Sequence, residues 1–348
     1  MEKTFMKGNE ALAESAIRAG CRFFAGYPIT PQNEIPEYMA LRLPEAGGVF
    51  IQGESEIASV YMVYGAGAMG TRCMTSSSSV GLCLKSEGIS YLVGARIPAV
   101  IVNVMRGGPG LGSIEPAQQD YNFMTKGLGS GGFSCMVLAP ASVQEAADLT
   151  GLAFDLADRD RNPVVLLLDG CLGSMMEDVA LPEHQPGHTP GTWSLAKDNR
   201  PYRMISSFRL TTPAQEQFNI EMSEMYDRWQ ADVMVEEYQT EDAEYLIVAY
   251  GICARIAKTA VAVLRAQGCK IGLLRPITLT PFPRAKLAAM AVGGVKGALA
   301  VEMSLPGQMV EDVRNSVAGR IPVAFCGRSG GMIVSEDEII QAARQMMS

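Results

Sequence analysis

Apolar positions along this chain alternate between two periods. Short apolar runs end in turn residues, and segments with apolar positions every three to four residues follow them. The opening, MEKTFMKGNEALAESAIRAG, reads as an amphipathic helix, with its helical core at 8–20. A strand over 22–25 then breaks into Gly26-Tyr27-Pro28-Ile29-Thr30-Pro31, and a helix is predicted over 33–43. The short run 50–52 precedes a segment in which Ile57, Val60, Tyr61, Tyr64, Gly65 and Ala68 recur at helical spacing. Strands over 72–75, 99–105, 136–139 and 164–168 alternate with helices over 82–93 and 141–158. Such alternation predicts an α/β fold built on a parallel sheet.

Residues 182–212 are rich in Pro, Gly and His and lack a period, so they read as a linker or arm. A long polar helix is predicted over 213–239, carrying Met222, Met225, Tyr226, Trp229 and Met234 on a face that suits interdomain packing. From 244 the alternation resumes, with strands at 245–249, 270–274, 298–302 and 321–325 and a last helix over 335–346. The expected division is therefore 1–182, a connecting region 183–243, and a smaller, mostly parallel α/β domain 244–348.

Composition narrows the function. The net charge of −8 speaks against nucleic acid or an anionic membrane as a principal partner. No uncharged run reaches transmembrane length, and the N-terminus lacks a signal-peptide pattern. The eight cysteines are all at least ten positions apart, which excludes a C-x-x-C cluster and a local iron–sulfur ligand run. A reduced, cytoplasmic protein is the expectation.

Candidate chemistry collects where predicted strands end, the place where open α/β sheets bind ligands. Glu56 falls in the first turn of its helix, just past a strand; acids are also common there because they complement the helix dipole. The hydroxyl-rich junction 75–79 either binds a polar ligand or caps the following helix. Arg106 ends the most apolar strand and opens a glycine loop, so it suits either a substrate carboxylate or a structural ion pair. Thr30 lies between two prolines on a stiff loop. Gly65-Ala66-Gly67-Ala68-Met69-Gly70 fits G-x-G-x-x-G, but it closes a helical segment instead of opening one, so close helix packing is the better reading. His184 and His188 lie in the Pro/Gly-rich region and give no convincing triad base. Asp169, alone at a strand end, is too little for a metal site.

The motifs, taken in order, resemble those of the α subunits of 2-oxoacid:ferredoxin oxidoreductases. They are Gly26-Tyr27-Pro28-Ile29-Thr30-Pro31, Gln52-Gly53-Glu54-Ser55-Glu56, Met74-Thr75-Ser76-Ser77-Ser78-Ser79 and Arg106-Gly107-Gly108-Pro109-Gly110. In the C-terminal half, Arg275-Pro276-Ile277-Thr278-Leu279-Thr280-Pro281-Phe282-Pro283 and Gly307-Gln308-Met309-Val310-Glu311-Asp312-Val313 extend the match. The resemblance implies a thiamine diphosphate-binding, pyrimidine-type parallel-sheet domain followed by a transketolase C-terminal-like domain. It also implies a site shared with a β subunit that carries the pyrophosphate and Mg²⁺ domain and a [4Fe–4S] cluster, with γ and ferredoxin-like δ subunits completing the complex.

The reaction implied is oxidative decarboxylation of a 2-oxoacid with coenzyme A and ferredoxin. The branched-chain acid 3-methyl-2-oxobutanoate is the implied substrate and 2-oxoglutarate the alternative. Carried over residue by residue, Glu56 is the catalytic carboxyl facing N1′ of the aminopyrimidine, with Glu54 its rival. Tyr27, Pro28, Ile29 and Ser78 line the cofactor, Thr30 and Arg106 bind substrate, and no metal ligand falls in this chain. A non-catalytic assembly subunit and a nucleotide-binding dehydrogenase using Gly65–Gly70 are the readings from other classes.

Overall fold

A computed structural model of the chain describes residues 3–185, 188, 190–196 and 204–348. Its N-terminal part runs β1 (Lys3–Lys7), α1 (Gly8–Arg18), β2 (Phe23–Gly26), α2 (Glu34–Arg42), β3 (Val49–Gln52), α3 (Glu56–Ala68), β4 (Cys73–Ser77), α4 (Val80–Gly94), β5 (Val100–Met105), α5 (Tyr121–Lys126), β6 (Met136–Leu138), α6 (Val143–Asp160), β7 (Val164–Asp169), α7 (Gly170–Ser174) and β8 (Met176–Ala180). Then follow α8 (Thr212–Arg228), a short 3₁₀ turn at Trp229–Asp232, β9 (Val235–Tyr238), β10 (Tyr245–Ala249), α9 (Gly251–Ala266), β11 (Ile271–Pro276), β12 (Thr278–Thr280), α10 (Arg284–Val292), β13 (Gly297–Glu302), α11 (Met309–Val317), β14 (Val323–Gly327) and α12 (Glu336–Met347).

The larger sheet has the order β12-β6-β7-β5-β4-β2-β3. Strands β2 to β7 are parallel, and β5 and β7 are buried along their whole length, as strands covered by helices on both faces must be. The second sheet, β14-β13-β10-β11-β9, is parallel except for β9 at its edge. The α/β architecture read from the sequence is the one observed.

Three expectations change. The first described residues form β1, an extended strand paired antiparallel with β8. The amphipathic pattern of the opening therefore belongs to α1 alone. The polar helix over 213–239 stops at Arg228, and Val235–Tyr238 becomes the antiparallel edge strand β9. Its face packs on the first domain: Trp229 Nε1 donates to Asp160 Oδ2 at 2.8 Å, and Met222 lies beside Arg96. The short strand β12 crosses over to pair with β6 in the first sheet, so the second half of the chain completes the first domain's edge. Parts of the linker read at 183–243 (186, 187, 189 and 197–203) lie outside the described residues.

The two sheets are clasped by buried polar groups. Arg275 is fork-bonded to Glu145 at 2.8 and 2.6 Å and reaches Glu236 at 2.6 Å. Gln118 spans to Tyr250 and Met303, and Asp169 accepts the Ile252 and Leu172 amides. Asp169 thus serves as a helix cap and interdomain acceptor. Burying these groups is tolerable because each is paired.

Candidate active site at the strand ends

Strands β2 to β5 deliver their C-terminal ends to one edge of the sheet, and the candidate residues sit there. Ser55 caps α3, accepting from the Ala58 amide at 3.1 Å, which makes Glu56 the first helical residue. The Glu56 carboxylate is buried at the positive end of the helix dipole. It rests against the backbone of Gly81 in the first turn of α4. A Cβ on Gly81 would stand 2.7 Å from Glu56 Oε1 and would also strike Ser77 Oγ. Glycine is required here for space. We expect Gly81→Ala to push Glu56 and Ser77 apart and to destabilise the protein by about 1–3 kcal/mol, the usual cost of overpacking. Denaturant unfolding measures this, and an unchanged stability would sink the packing argument.

The serine turn between β4 and α4 is under strain. Ser79 has φ 35° and ψ −94°, a region that residues with side chains rarely occupy. Three partners hold it there: its amide donates to Asn103 Oδ1 at 2.9 Å, its hydroxyl donates to Asp120 Oδ2 at 2.6 Å, and it accepts from the Arg106 amide at 3.0 Å. Burial pushes the Asp120 carboxyl up, opposed by hydrogen bonds from Ser79 and Asn103 and by the charge of Arg106. The sequence offered a capping role for these serines, but no side chain caps α4. Instead the hydroxyls of Ser77 and Ser78 are buried without hydrogen-bond partners.

The proline-flanked loop joins the same cluster. Arg106, 5% exposed, donates from Nη1 to the Thr30 carbonyl and from Nη2 to the Leu111 carbonyl, both at 3.1 Å, while its Nε is buried and unpartnered. Asn33 Nδ2 reaches Thr30 Oγ1 at 3.3 Å. Gln32, fully buried, holds the loop by donating to the Tyr27 carbonyl at 3.2 Å, and its amide oxygen accepts from Ser76 Oγ. Tyr27 and Pro28 are exposed, while Ile29 and Thr30 are half-buried. The fold therefore brings Tyr27, Pro28, Ile29, Thr30, Glu56, Ser78 and Arg106 to one edge. Glu54 is exposed, unlike its buried rival Glu56.

Sequence reading missed Lys85. It is fully buried in α4, donates to Thr75 Oγ1 and to the Ser76 carbonyl at 3.1 Å, and has Glu56 as its charged neighbour. Desolvation lowers its pKa to about 7, with the Glu56 charge acting in the opposite sense. A signal was present: Gly81, Leu82, Lys85, Gly88, Ile89 and Leu92 share one helical face, and a lysine in core phase is out of place. Gln32, Asn103 and Asp120 carried no comparable mark. The G-x-G-x-x-G segment closes α3, and Gly67 allows close packing on Ile97, whose Cγ2 a Cβ would meet at 2.5 Å. Among the described residues no group of three His, Cys, Asp or Glu side chains is arranged around a metal position, and no helix is long and apolar enough to cross a membrane.

Comparison with known proteins identifies this architecture. Residues 14–244 match the family model described as pyruvate flavodoxin/ferredoxin oxidoreductase, thiamine diphosphate-binding, and residues 243–339 match pyruvate:ferredoxin oxidoreductase core domain II. The ketoisovalerate oxidoreductase subunit VorB of Methanothermobacter thermautotrophicus is 46% identical over 99% of this chain and 98% of its own length. The 2-oxoglutarate synthase subunit KorA of the same organism is 35% identical over 99% of both chains. Among solved structures, the 2-oxoglutarate:ferredoxin oxidoreductase of Magnetococcus marinus, with 2-oxoglutarate, coenzyme A and succinyl-CoA bound, superposes on the whole chain with a TM-score of 0.88 at 25% identity; the chain spans 66% of that protein's length. A split-gene transketolase at 15% identity, with a TM-score of 0.62, shares the fold. These relatives are themselves subunits, so this chain works with partner subunits. The chain thus belongs to the pyruvate flavodoxin/ferredoxin oxidoreductase family, as a subunit of a 2-oxoacid:ferredoxin oxidoreductase that carries its thiamine diphosphate-binding domain.

Proposed function

We propose that this subunit takes part in the oxidative decarboxylation of a branched-chain 2-oxoacid, 3-methyl-2-oxobutanoate, to its acyl-CoA, with ferredoxin as electron acceptor. The observation that carries the site reading is the cradle of Glu56, Ser77, Ser78 and Gly81. It combines a buried carboxylate, two buried hydroxyls without partners and a glycine that leaves room beside them. That donor and acceptor set fits the polar edge of an aminopyrimidine ring, since buried hydroxyls without partners call for a ligand to satisfy them. When bound, thiamine diphosphate supplies the carbanion chemistry of decarboxylation.

This chain's own contribution is positional and acid–base. Glu56 holds or accepts a proton at N1′ of the ring; its burial strengthens that hydrogen bond. Ser78 presents a hydroxyl to the ring, and Tyr27, Pro28 and Ile29 form the wall on the open side. Thr30 and Arg106 face the 2-oxoacid, with the free Nε of Arg106 supplying a donor for its carboxylate. Because Tyr27 and Pro28 are exposed, the other half of the pocket comes from a partner: a β subunit bearing the pyrophosphate, Mg²⁺ and a [4Fe–4S] cluster, with γ and ferredoxin-like δ subunits. In this reading, residues 1–182 form the pyrimidine-binding domain, 183–243 connect, and 244–348 form the transketolase C-terminal-like domain.

Substrate choice rests on two supports. The relative named for ketoisovalerate is more similar to this chain than the one named for 2-oxoglutarate synthase, at 46% against 35% identity. Among the described residues, Arg106 and Lys85 are the cations that hydrogen bonds hold at these strand ends, and Lys85 is turned inward onto Thr75 and Ser76. Among the described residues, no second cation is hydrogen-bonded at these strand ends and free to meet a dicarboxylate. The 2-oxoglutarate reading draws on the full-length superposition with the Magnetococcus enzyme. The decisive assay is anaerobic viologen reduction by the assembled complex with coenzyme A, thiamine diphosphate, Mg²⁺ and a panel of 2-oxoacids. We expect 3-methyl-2-oxobutanoate to lead by about tenfold or more in kcat/KM, the scale on which apolar pockets discriminate. Reduction led by 2-oxoglutarate would overturn the substrate assignment.

A further inference from the structure

A buried lysine needs an explanation, because a core position in a helix is ordinarily filled by an apolar side chain. Lys85 is one turn beyond Gly81 on the same face of α4, and Gly81 is the backbone against which the Glu56 carboxylate rests. Its ammonium is fixed by Thr75 Oγ1 and the Ser76 carbonyl on β4, the strand that leads into the unpartnered hydroxyls of Ser77 and Ser78. Thr75 is locked in turn, its hydroxyl donating to the Ala25 carbonyl of β2 at 2.7 Å.

The groups facing Lys85 from the surrounding elements are therefore Glu56 on α3, the neutral Thr75 and Ser76 on β4, and the Ala25 carbonyl on β2. Gln32, behind Ser76, is also neutral. The next charged groups around the serine turn are engaged elsewhere: Asp120 accepts from Ser79 and Asn103, and the Arg106 guanidinium donates to the Thr30 and Leu111 carbonyls. Glu56 is the charged side chain that acts on Lys85. No direct ion pair joins Lys85 and Glu56 among the described residues, so the Glu56 carboxylate is not taken up by the lysine.

We propose that Lys85 is a positioning residue for Glu56: its ammonium, held by Thr75 and Ser76 one helical turn from Gly81, strengthens the contact of Glu56 with N1′ of the aminopyrimidine. This inference rests on the assignment of Glu56 to N1′. A carboxylate facing a protonated ring nitrogen makes a charge-assisted hydrogen bond, about twice as strong as one between neutral groups. In a dry site the lysine charge is felt strongly at the carboxylate. Desolvation, which brings Lys85 to about 7, means that this charge is present below neutral pH and is lost above it.

The test compares affinities by calorimetry on the assembled complex stripped of cofactor. One ligand is thiamine diphosphate; the other is its analogue with a CH group in place of N1′. Wild type should prefer the natural cofactor. Lys85→Met, which keeps the shape of the stem, should shrink that preference about tenfold, the effect of one pKa unit. In a Glu56→Gln background the same change should have no effect on the preference, because the coupling partner is gone. A Lys85→Met variant that loses affinity equally for both ligands is merely loosened, and the proposal falls. Equal binding of both ligands by wild type would instead remove the Glu56 assignment itself. A second measurement needs no variant: the wild-type preference should decline as pH rises through about 7. A preference flat with pH overturns the proposal even where Lys85→Met does not assemble.

Discussion

Glu56→Gln should lower kcat of the assembled complex about 10²- to 10³-fold, the contribution typical of a positioned acid–base group. Assembly and the unfolding midpoint should stay close to wild type. Glutamine has nearly the same volume and suits the first turn of α3, where Ser55 still supplies the cap. What it cannot do is carry a negative charge or exchange a proton with N1′. Glu54→Gln is the matched control: Glu54 is exposed one residue before the cap, and its replacement should leave turnover within about twofold, as surface changes usually do. Anaerobic viologen reduction reads turnover and thermal unfolding reads stability. Near-wild-type turnover in Glu56→Gln would end the assignment, and a large loss in Glu54→Gln would transfer it.

For Arg106→Ala the expectation is a loss of about 10²-fold in kcat/KM for the 2-oxoacid, matching about 3 kcal/mol for a lost charge-assisted contact. The KM for coenzyme A should hardly move. The structure adds a stability cost, because Arg106 also donates to the Thr30 and Leu111 carbonyls and ties the proline-flanked loop to the glycine loop. Leaving those carbonyls without their donor should cost about 1–3 kcal/mol. Arg106→Lys separates the two roles. It keeps the positive charge but not the planar fork, so it should recover part of the substrate affinity and little of the loop anchoring. Steady-state kinetics varied in each substrate, with denaturant unfolding alongside, make the comparison. Equal effects on oxoacid and coenzyme A would show an arginine that only holds loops.

Both variants probe residues whose place the sequence had marked. Glu56 and Arg106 were legible because each follows an apolar run and opens a turn, and chain order alone puts such residues at strand ends. The α/β alternation was legible for the same reason: a strand covered on both faces is apolar throughout, as in the VVLLLD of β7, whereas its flanking helices are apolar on one stripe. Gly67 was readable as a packing glycine because the segment around it ended a helix.

Other features had no local signature. The polar stretch after α8 was read as more helix, yet Val235–Tyr238 is a strand because β11 offers it an open edge. Its propensity is weak and tertiary pairing overrides it. Strand β12 is three residues long, and its place in the first sheet depends on β6 across more than a hundred positions of chain. Lys85 follows the same rule in reverse. In the sequence it is one lysine in a helix, and only the packing of α4 on β4 and α3 buries its ammonium against Thr75 and Ser76 with Glu56 as a charged neighbour.

By itself, then, the sequence determined the local period of each element, the residues at each strand end and the family those motifs mark. Only the tertiary structure decided which strand ends meet, which hydroxyls are left without partners and which buried charge neighbours Glu56. These are relations between residues far apart in the chain, set by how the helices close over the sheet and by the burial that makes an unpaired charge or hydroxyl costly.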